Sequence, residues 1–178
     1  MLNIINDLEC FFEDCYRRIN VREYARIKGI SPPTASKILT NYQKEGLLLK
    51  EEYRNFLFYY ANKDGKIFID ISRIFWDYKL KELTDFLEEK LTNPSIILFG
   101  SLSKGEVKED SDIDLAIFAH KKEINLEKFE KRLKRKVQIL WIEDIKSKEL
   151  AINIINAYIL KGRINLNGLG GLLQKKDS

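Results

Sequence analysis

The spacing of apolar residues in the first third of the chain predicts helices followed by two short strands. Apolar residues recur every three or four positions in the helical stretches, and the strands are apolar runs next to turn residues. The predicted elements are helices at Asp7–Arg18 and Val21–Lys28, a helix from the N-cap Ser31 to about Glu45, and strands at Leu47–Lys50 and Phe56–Tyr60. We therefore expect a small helical unit that ends in a hairpin.

The remainder of the chain alternates strands and helices after a turn cluster at Asn62–Gly65. The predicted strands are Lys66–Asp70, Ser95–Phe99, Asp112–Phe118 and Lys136–Ile142, and the predicted helices are Ile71–Leu91, Leu126–Arg135 and Ile145–Lys161. The helix at Ile71–Leu91 is amphipathic, with apolar positions Ile74, Phe75, Tyr78, Leu83, Leu87 and Leu91. This order predicts an α/β (α+β) fold. Its predicted domains are residues 1–65 and 93–178, joined by a strand and helix at 66–92.

Composition narrows the class of protein. The 178 residues include 44% hydrophobic and 33% charged residues with a net charge of +4, which is typical of a globular protein. A single histidine excludes a site that needs two, and the spacing of Cys10 and Cys15 fits neither a zinc site nor a disulfide framework. No membrane span and no secretory leader are expected, so the prediction is a cytoplasmic protein with free thiols and no membrane partner.

The segment Leu98–Phe118 holds the most informative polar residues. Gly100 directly follows a buried strand, where glycine lets the backbone turn sharply and lets a ligand approach closely. If a short helix begins at Ser101, its backbone N–H groups point beyond the strand end, and Gly105 supplies a second bend. The loop is therefore predicted to bind an anion.

Asp112 and Asp114 follow this loop and are two residues apart in a predicted strand, so both side chains lie on one face. Two close carboxylates repel unless a cation or a proton lies between them. Hard oxygen ligands favour Mg²⁺ or Mn²⁺. A lone Asp-x-Asp is more often solvated, but here it follows a glycine–serine turn, and a metal beside a phosphate loop is what phosphoryl or nucleotidyl transfer requires.

The Gly-Ser turn, the second glycine and the Ser-Asp-Ile-Asp-Leu run together resemble the nucleotidyltransferases of the polymerase-β superfamily, especially its minimal prokaryotic members. The resemblance covers about Ser95–Lys161 and implies a small mixed sheet flanked by helices. It implies a nucleoside triphosphate, taken to be ATP, and Mg²⁺ or Mn²⁺ as cofactors. The residues carried over are the nucleotide-binding Gly100, Ser101, Gly105 and Ser111 and the catalytic, metal-ligating Asp112 and Asp114.

One position departs from the family pattern. Catalytic members carry a third carboxylate on the next central strand, and the matching position here is Gln138. Glutamine is neutral and serves neither as a general base nor as a strong metal ligand. Glu143 and Asp144 lie just beyond that strand and are an alternative source of the third carboxylate. Nucleotide binding is therefore expected, whereas the sequence leaves open whether transfer is catalysed.

The first part of the chain resembles a winged helix-turn-helix domain. The resemblance rests on Ala25, on Gly29 and Ile30 in the turn, and on the run Tyr42–Leu48 that leads into two strands. It implies binding of double-stranded DNA by the exposed face of the third helix. The residues predicted on that face are Thr34, Ser36, Lys37, Thr40, Asn41 and Lys44. Docking of a protein is the alternative use of this fold.

Five aromatic residues lie in the predicted hairpin. They are Tyr53, Phe56, Phe58, Tyr59 and Tyr60. We expect them to be core and dimer contacts rather than base-stacking groups, so a homodimer is one expected assembly.

The two predicted domains together leave three functions open. The first is transfer of AMP from ATP to a protein or nucleic-acid hydroxyl. The second is a transcriptional regulator whose inactive transferase domain senses nucleotide. The third is an antitoxin-like protein that pairs with a small helical toxin.

Overall fold

A computed structural model of the protein describes residues 3–142 and 157–163. The helices in these ranges are α1 (Asn3–Glu13), α2 (Val21–Lys28), α3 (Pro32–Lys44), α4 (Lys66–Lys90), α5 (Gly100–Lys104) and α6 (Glu127–Leu133). The strands are β1 (Ile19–Asn20), β2 (Leu48–Tyr53), β3 (Phe56–Ala61), β4 (Ser95–Phe99), β5 (Ile113–Phe118), β6 (Val137–Trp141) and β7 (Tyr158–Lys161). The chain divides into two compact units, Met1–Phe75 with Gly105–Glu109 and Trp76–Lys104 with Asp110–Ser178.

The first unit contains α1, α2, α3 and an antiparallel sheet in the strand order β1-β3-β2. The side-chain oxygen of Asn20 caps α2 by accepting a hydrogen bond from the backbone N–H of Glu23 at 3.0 Å. Gly29, at a φ of +64°, ends this helix. Ser31 caps α3, as predicted. Local side chains therefore define where these two helices begin.

Aromatic side chains form much of the interior of the first unit. Phe12 packs against Phe68 and Phe75, with ring centroids 5.2 and 5.3 Å apart. Tyr24 is fully buried and donates its hydroxyl to the backbone oxygen of Asp7 at 3.0 Å. These rings remove apolar surface from water, and the Tyr24 hydroxyl keeps a hydrogen-bond partner. The packing of α1 is therefore specified by aromatic contacts.

The second unit is built on a sheet in the strand order β6-β5-β4-β7. β5 and β6 are parallel, and the other neighbouring strands are antiparallel. Ile96, Ile97 and Leu98 of β4 are fully buried, which confirms the prediction for this apolar run. The sheet brings the carboxyl end of β4 beside the amino ends of β5 and β6, and the candidate site lies at this edge.

The predicted strand at Lys66–Asp70 is wrong, because these residues form the first turns of α4. The backbone oxygen of Gly65 accepts a hydrogen bond from the N–H of Ile69 at 3.1 Å, so helical bonding begins at the turn. Phe68 and Phe75 are both buried seven residues apart, which continues the helical period through the stretch. A five-residue apolar run does not by itself distinguish a strand from a buried helix.

The inward face of α4 agrees with the prediction in part. Phe75, Leu83 and Leu87 are buried as predicted, whereas Ile74 and Tyr78 are 46% and 59% exposed. Trp76 and Leu80, which were not predicted as inward positions, are fully buried. None of the helices in the described part of the chain is long and apolar enough to cross a membrane.

The last described element corrects a second prediction. A helix was expected at Ile145–Lys161, but Tyr158–Lys161 forms β7. Tyr158 pairs with Leu98 and Ile159 with Ile97, so these residues extend the sheet beside β4. Backbone pairing with a buried strand outweighs the local helical pattern here. Residues 145–156 of the predicted helix lie outside the described residues.

Candidate functional site

Gly100 lies where β4 turns into α5, and its conformation is the one that glycine favours. Its φ is +69°, a left-handed value that costs other residues about 1–2 kcal/mol. A Cβ atom at this position would overlap Oδ2 of Asp114 and lie 3.0 Å from its Cγ. The prediction of a sharp turn at Gly100 is confirmed. The backbone of this turn lies directly against the Asp114 carboxylate.

The sheet brings the two aspartates to the same edge. Asp114 is the second residue of β5 and pairs with Phe99, the last residue of β4. Asp112 lies two residues earlier, just before the strand. Burial raises the pKa of the Asp114 carboxyl above its ordinary value, and the charge of Asp112 raises it further. The two carboxylates are therefore close enough to repel each other, as the spacing predicts.

Gln138 completes this edge of the sheet. It is the parallel neighbour of Asp114 in the register of β5 and β6. Its Nε2 donates a hydrogen bond to Oδ2 of Asp112 at 2.6 Å. The amide thus contacts the Asp112 carboxylate without adding negative charge to the site. Glu143 and Asp144, the alternative carboxylates, lie outside the described residues.

The predicted loop residues have different environments. Ser101 is half-buried at the start of α5, directly after Gly100. Gly105 has a φ of +74°, and a Cβ there would lie 3.1 Å from Cγ1 of Ile69, so packing accounts for glycine at this position. Ser103 donates its hydroxyl to the backbone oxygen of Gly100 at 3.0 Å. Sequence reasoning missed this contact, which ties the turn to α5.

Ser111 is held through its backbone. Its carbonyl oxygen accepts a hydrogen bond from Nη1 of Arg135 at 2.5 Å. Arg135 is 9% exposed, and its guanidinium lies 5.1 Å from the ring centroid of Trp76. Arg135 therefore supports the segment that leads into Asp112. Its position in a lysine-rich helix end concealed this role from sequence analysis.

The helix α3 exposes most of the residues that were predicted to contact DNA. The exposed ones are Thr34, Ser36, Lys37, Asn41 and Lys44. Thr40 is half-buried, and its Oγ1 lies 3.3 Å from the hydroxyl oxygen of Tyr59. Its assignment to the exposed face is wrong, because the side chain turns towards the sheet. In the hairpin Tyr59 is buried, whereas Tyr53 and Phe56 are 56% and 60% exposed.

The donor set at the sheet edge suits one divalent cation. Asp112 and Asp114 supply hard carboxylate oxygens of the kind that Mg²⁺ and Mn²⁺ prefer. The two carboxylates repel each other, and a cation bound between them would reduce this repulsion. Within residues 3–142 and 157–163 no group of three or more His, Cys, Asp or Glu side chains is arranged to hold a metal ion. The described residues therefore supply two carboxylate ligands for such an ion.

Comparison with known proteins finds a similarity in the part of the chain that contains this site. Residues 80–161 match the family model described as a nucleotidyltransferase domain. A solved structure titled "Crystal structure of the toxin-antitoxin with AMP-PNP" shares 24% sequence identity at a TM-score of 0.40, covering 52% of this chain and 78% of its own. No curated protein matches the chain. Residues 80–161 are therefore similar to a nucleotidyltransferase domain.

Proposed function

We propose that the second unit binds a Mg²⁺-bound nucleoside triphosphate, ATP in the first instance, and transfers its nucleotidyl group slowly to a protein or nucleic-acid hydroxyl. The observation that carries the proposal is the contact between the Gly100 turn and the Asp114 carboxylate. The Asp114 carboxylate lies so close to the backbone of the turn that only glycine fits there, which places a metal-binding oxygen directly beside the turn proposed to bind phosphate. The match of residues 80–161 to a nucleotidyltransferase domain supports the same assignment.

Each group at the sheet edge has a role in binding. The backbone N–H groups of Gly100 and Ser101, with the Ser101 hydroxyl, would donate hydrogen bonds to phosphate oxygens. Asp112 and Asp114 would hold the divalent cation, which neutralises triphosphate charge when bound. Ser103 and Arg135 keep the turn and the Ser111–Asp112 segment in position. Binding thus depends on backbone geometry and two carboxylates.

Transfer would proceed by attack of an acceptor hydroxyl on the α-phosphorus. The hydroxyl oxygen forms a bond to that phosphorus, the bond from phosphorus to the α–β bridging oxygen breaks, and pyrophosphate leaves. The neutral amide of Gln138 takes no proton, and in this proposal the hydroxyl proton passes to solvent. Loss of general-base catalysis typically costs a factor of about 10²–10⁴ in rate. Slow transfer with intact binding is the expected behaviour.

A label-transfer assay tests this proposal. ATP carrying a radioactive α-phosphate is incubated with the protein, Mg²⁺ or Mn²⁺, and a panel of RNA, DNA and protein acceptors. Wild-type protein should label an acceptor slowly, and Gln138→Glu should label it at least about tenfold faster by restoring a carboxylate. Asp112→Asn/Asp114→Asn should label nothing. Absence of transfer by both wild type and Gln138→Glu, with nucleotide binding intact, would leave a nucleotide-sensing regulator instead.

The first unit supplies the other component of the proposal, a winged helix that binds double-stranded DNA. The order α1-β1-α2-α3-β2-β3 and the sheet order β1-β3-β2 support it. So do the exposed short polar and lysine side chains of α3. In this proposal the winged helix occupies residues 1–65 and the transferase domain residues 93–178, with 66–92 between them. A protein that docks on α3 is the alternative.

Duplex binding measured by fluorescence anisotropy over a range of salt concentrations tests the second component. Replacement of two phosphate-contacting lysines should lower the slope of log affinity against log salt by about 1.8, at about 0.9 for each contact. We therefore expect Lys37→Gln/Lys44→Gln to bind duplex DNA more weakly and with this smaller slope. Lys121→Gln/Lys128→Gln removes equal charge elsewhere and should retain the wild-type slope. If the wild type has no duplex affinity at low salt, protein docking replaces DNA binding.

A further inference from the structure

A groove in the first unit lies between the start of α2 and the turn that joins β2 to β3. Its volume is about 750 Å³, and its lining includes Arg22, Arg26, Phe56 and Leu57. It is separate from the exposed α3 residues proposed to contact duplex DNA. A groove of this volume can hold a ligand much larger than a single ion.

The groove carries uncompensated positive charge. Arg22 and Arg26 are four residues apart on α2, so their side chains lie on one face of the helix, and both are exposed. No ion pair joins either arginine to a carboxylate within residues 3–142 and 157–163. The lining also contains Glu23, but its carboxylate already accepts a hydrogen bond from Nη2 of Arg17 at 2.9 Å. The two free guanidinium groups therefore suit an anionic ligand.

The lining of the groove also includes two exposed apolar side chains, one of them aromatic. Phe56 is 60% exposed and Leu57 is 38% exposed, although large apolar side chains are stabilised by burial. The turn before them contains Arg54 and Asn55 at φ values of +50° and +64°, a left-handed pair that closes a tight two-residue hairpin. Phe56 is thus placed at the first position of a hairpin strand with its ring accessible. A rigid, exposed ring beside two arginines is a stacking surface next to an anion site.

We propose that this groove binds a single-stranded segment of nucleic acid, with phosphodiester groups on Arg22 and Arg26 and a base stacked on Phe56. The planar guanidinium fork matches phosphate oxygens bidentately. A base can lie flat on the ring only when its strand is unpaired, which selects single strands over duplexes. An acidic peptide would satisfy the arginines but would supply no flat ring for Phe56.

The test measures binding of a short fluorescein-labelled oligothymidylate to the full chain by anisotropy at several salt concentrations. Each phosphate contact to a single strand contributes about 0.7 to the slope of log affinity against log salt. Arg22→Gln/Arg26→Gln should therefore bind at least about tenfold more weakly, with a slope lower by about 1.4. Lys121→Gln/Lys128→Gln removes the same charge outside the groove and should stay within about twofold of wild type. Thermal unfolding of each variant checks that it is folded.

Two further variants report stacking directly. Phe56→Leu keeps an apolar side chain but removes the ring, and its affinity should fall about tenfold. Phe56→Trp keeps the ring, should retain wild-type affinity, and should show a tryptophan quenching on oligonucleotide addition that exceeds the wild-type signal from Trp76 and Trp141. A merely structural role for Phe56 would produce no added quenching.

Three results would overturn the groove assignment. The first is an affinity and a salt slope of Arg22→Gln/Arg26→Gln equal to those of the lysine control. The second is loss of single-strand binding in Lys37→Gln/Lys44→Gln to the same extent, which would assign the binding to α3. The third is competition by polyglutamate as effective as competition by unlabelled oligothymidylate, which would make the ligand an acidic chain. Failure of duplex binding alone would leave the groove assignment standing.

Discussion

Replacement of Gly100 by alanine tests whether the turn and the carboxylate form one site. The φ of +69° costs an alanine about 1–2 kcal/mol. The new Cβ would in addition overlap Oδ2 of Asp114 and lie 3.2 Å from its Cβ. The Asp114 side chain would therefore have to move away from the turn. A loss of at least about 1.4 kcal/mol of nucleotide binding, or tenfold in Kd, is the expected consequence.

Two other glycines provide a matched control for this substitution. Gly29 and Gly46 have φ values of +64° and +75°, and a Cβ at either position would meet no atom within 4 Å. In Gly29→Ala and Gly46→Ala the free energy of unfolding, measured by urea denaturation, should therefore fall by about 1–2 kcal/mol. Both variants should keep full affinity for ATP with Mg²⁺. In Gly100→Ala the free energy of unfolding should fall by a similar or larger amount. Its affinity for ATP with Mg²⁺, measured by isothermal titration calorimetry, should fall as well. Wild-type affinity in Gly100→Ala would refute the contact as the basis of the site.

The remaining predictions concern the first unit. Burial raises the pKa of Cys10 and of Cys15 to about 11, so native thiols should react with iodoacetamide about a hundredfold more slowly at pH 8 than those of the unfolded chain. These protons stay on the folded chain while the unfolded chain releases them above pH 9, so the free energy of unfolding should fall as pH rises from 9 to 11. Equal labelling rates in native and urea-unfolded protein would contradict the burial. Ser31→Ala should lower the free energy of unfolding by about 0.5–2 kcal/mol through loss of the α3 cap, whereas Ser36→Ala on the exposed face should change it little.

The parts of the fold that sequence reasoning anticipated have strong local causes. Ser31 before two prolines predicts where α3 begins, and the unbroken apolar run of β4 predicts a buried strand. Gly100 after that run predicts the left-handed turn. In each case a few adjacent residues determine the conformation, so the pattern is readable without the rest of the chain.

The wrong predictions and the missed contacts concern segments whose conformation depends on residues distant in the sequence. Lys66–Asp70 and Tyr158–Lys161 are short apolar segments that fit either a helix or a strand, and their partners lie elsewhere in the chain. β7 forms because β4 offers it a free edge, and no residue in the segment itself signals this pairing. The same holds for Arg135, whose support of Ser111 depends on a contact 24 residues away in sequence. The hydrogen bond between Gln138 and Asp112 likewise required the register of two parallel strands.

Isothermal titration of ATP with Mg²⁺ tests the central claim most directly. The wild-type protein should bind the nucleotide, and the binding should disappear when EDTA removes the metal. Asp112→Asn/Asp114→Asn keeps the size of both side chains but removes both charges, so it should abolish binding while the protein remains folded by circular dichroism. Binding that needs no metal and persists in the double variant would contradict a metal–nucleotide site at Asp112 and Asp114.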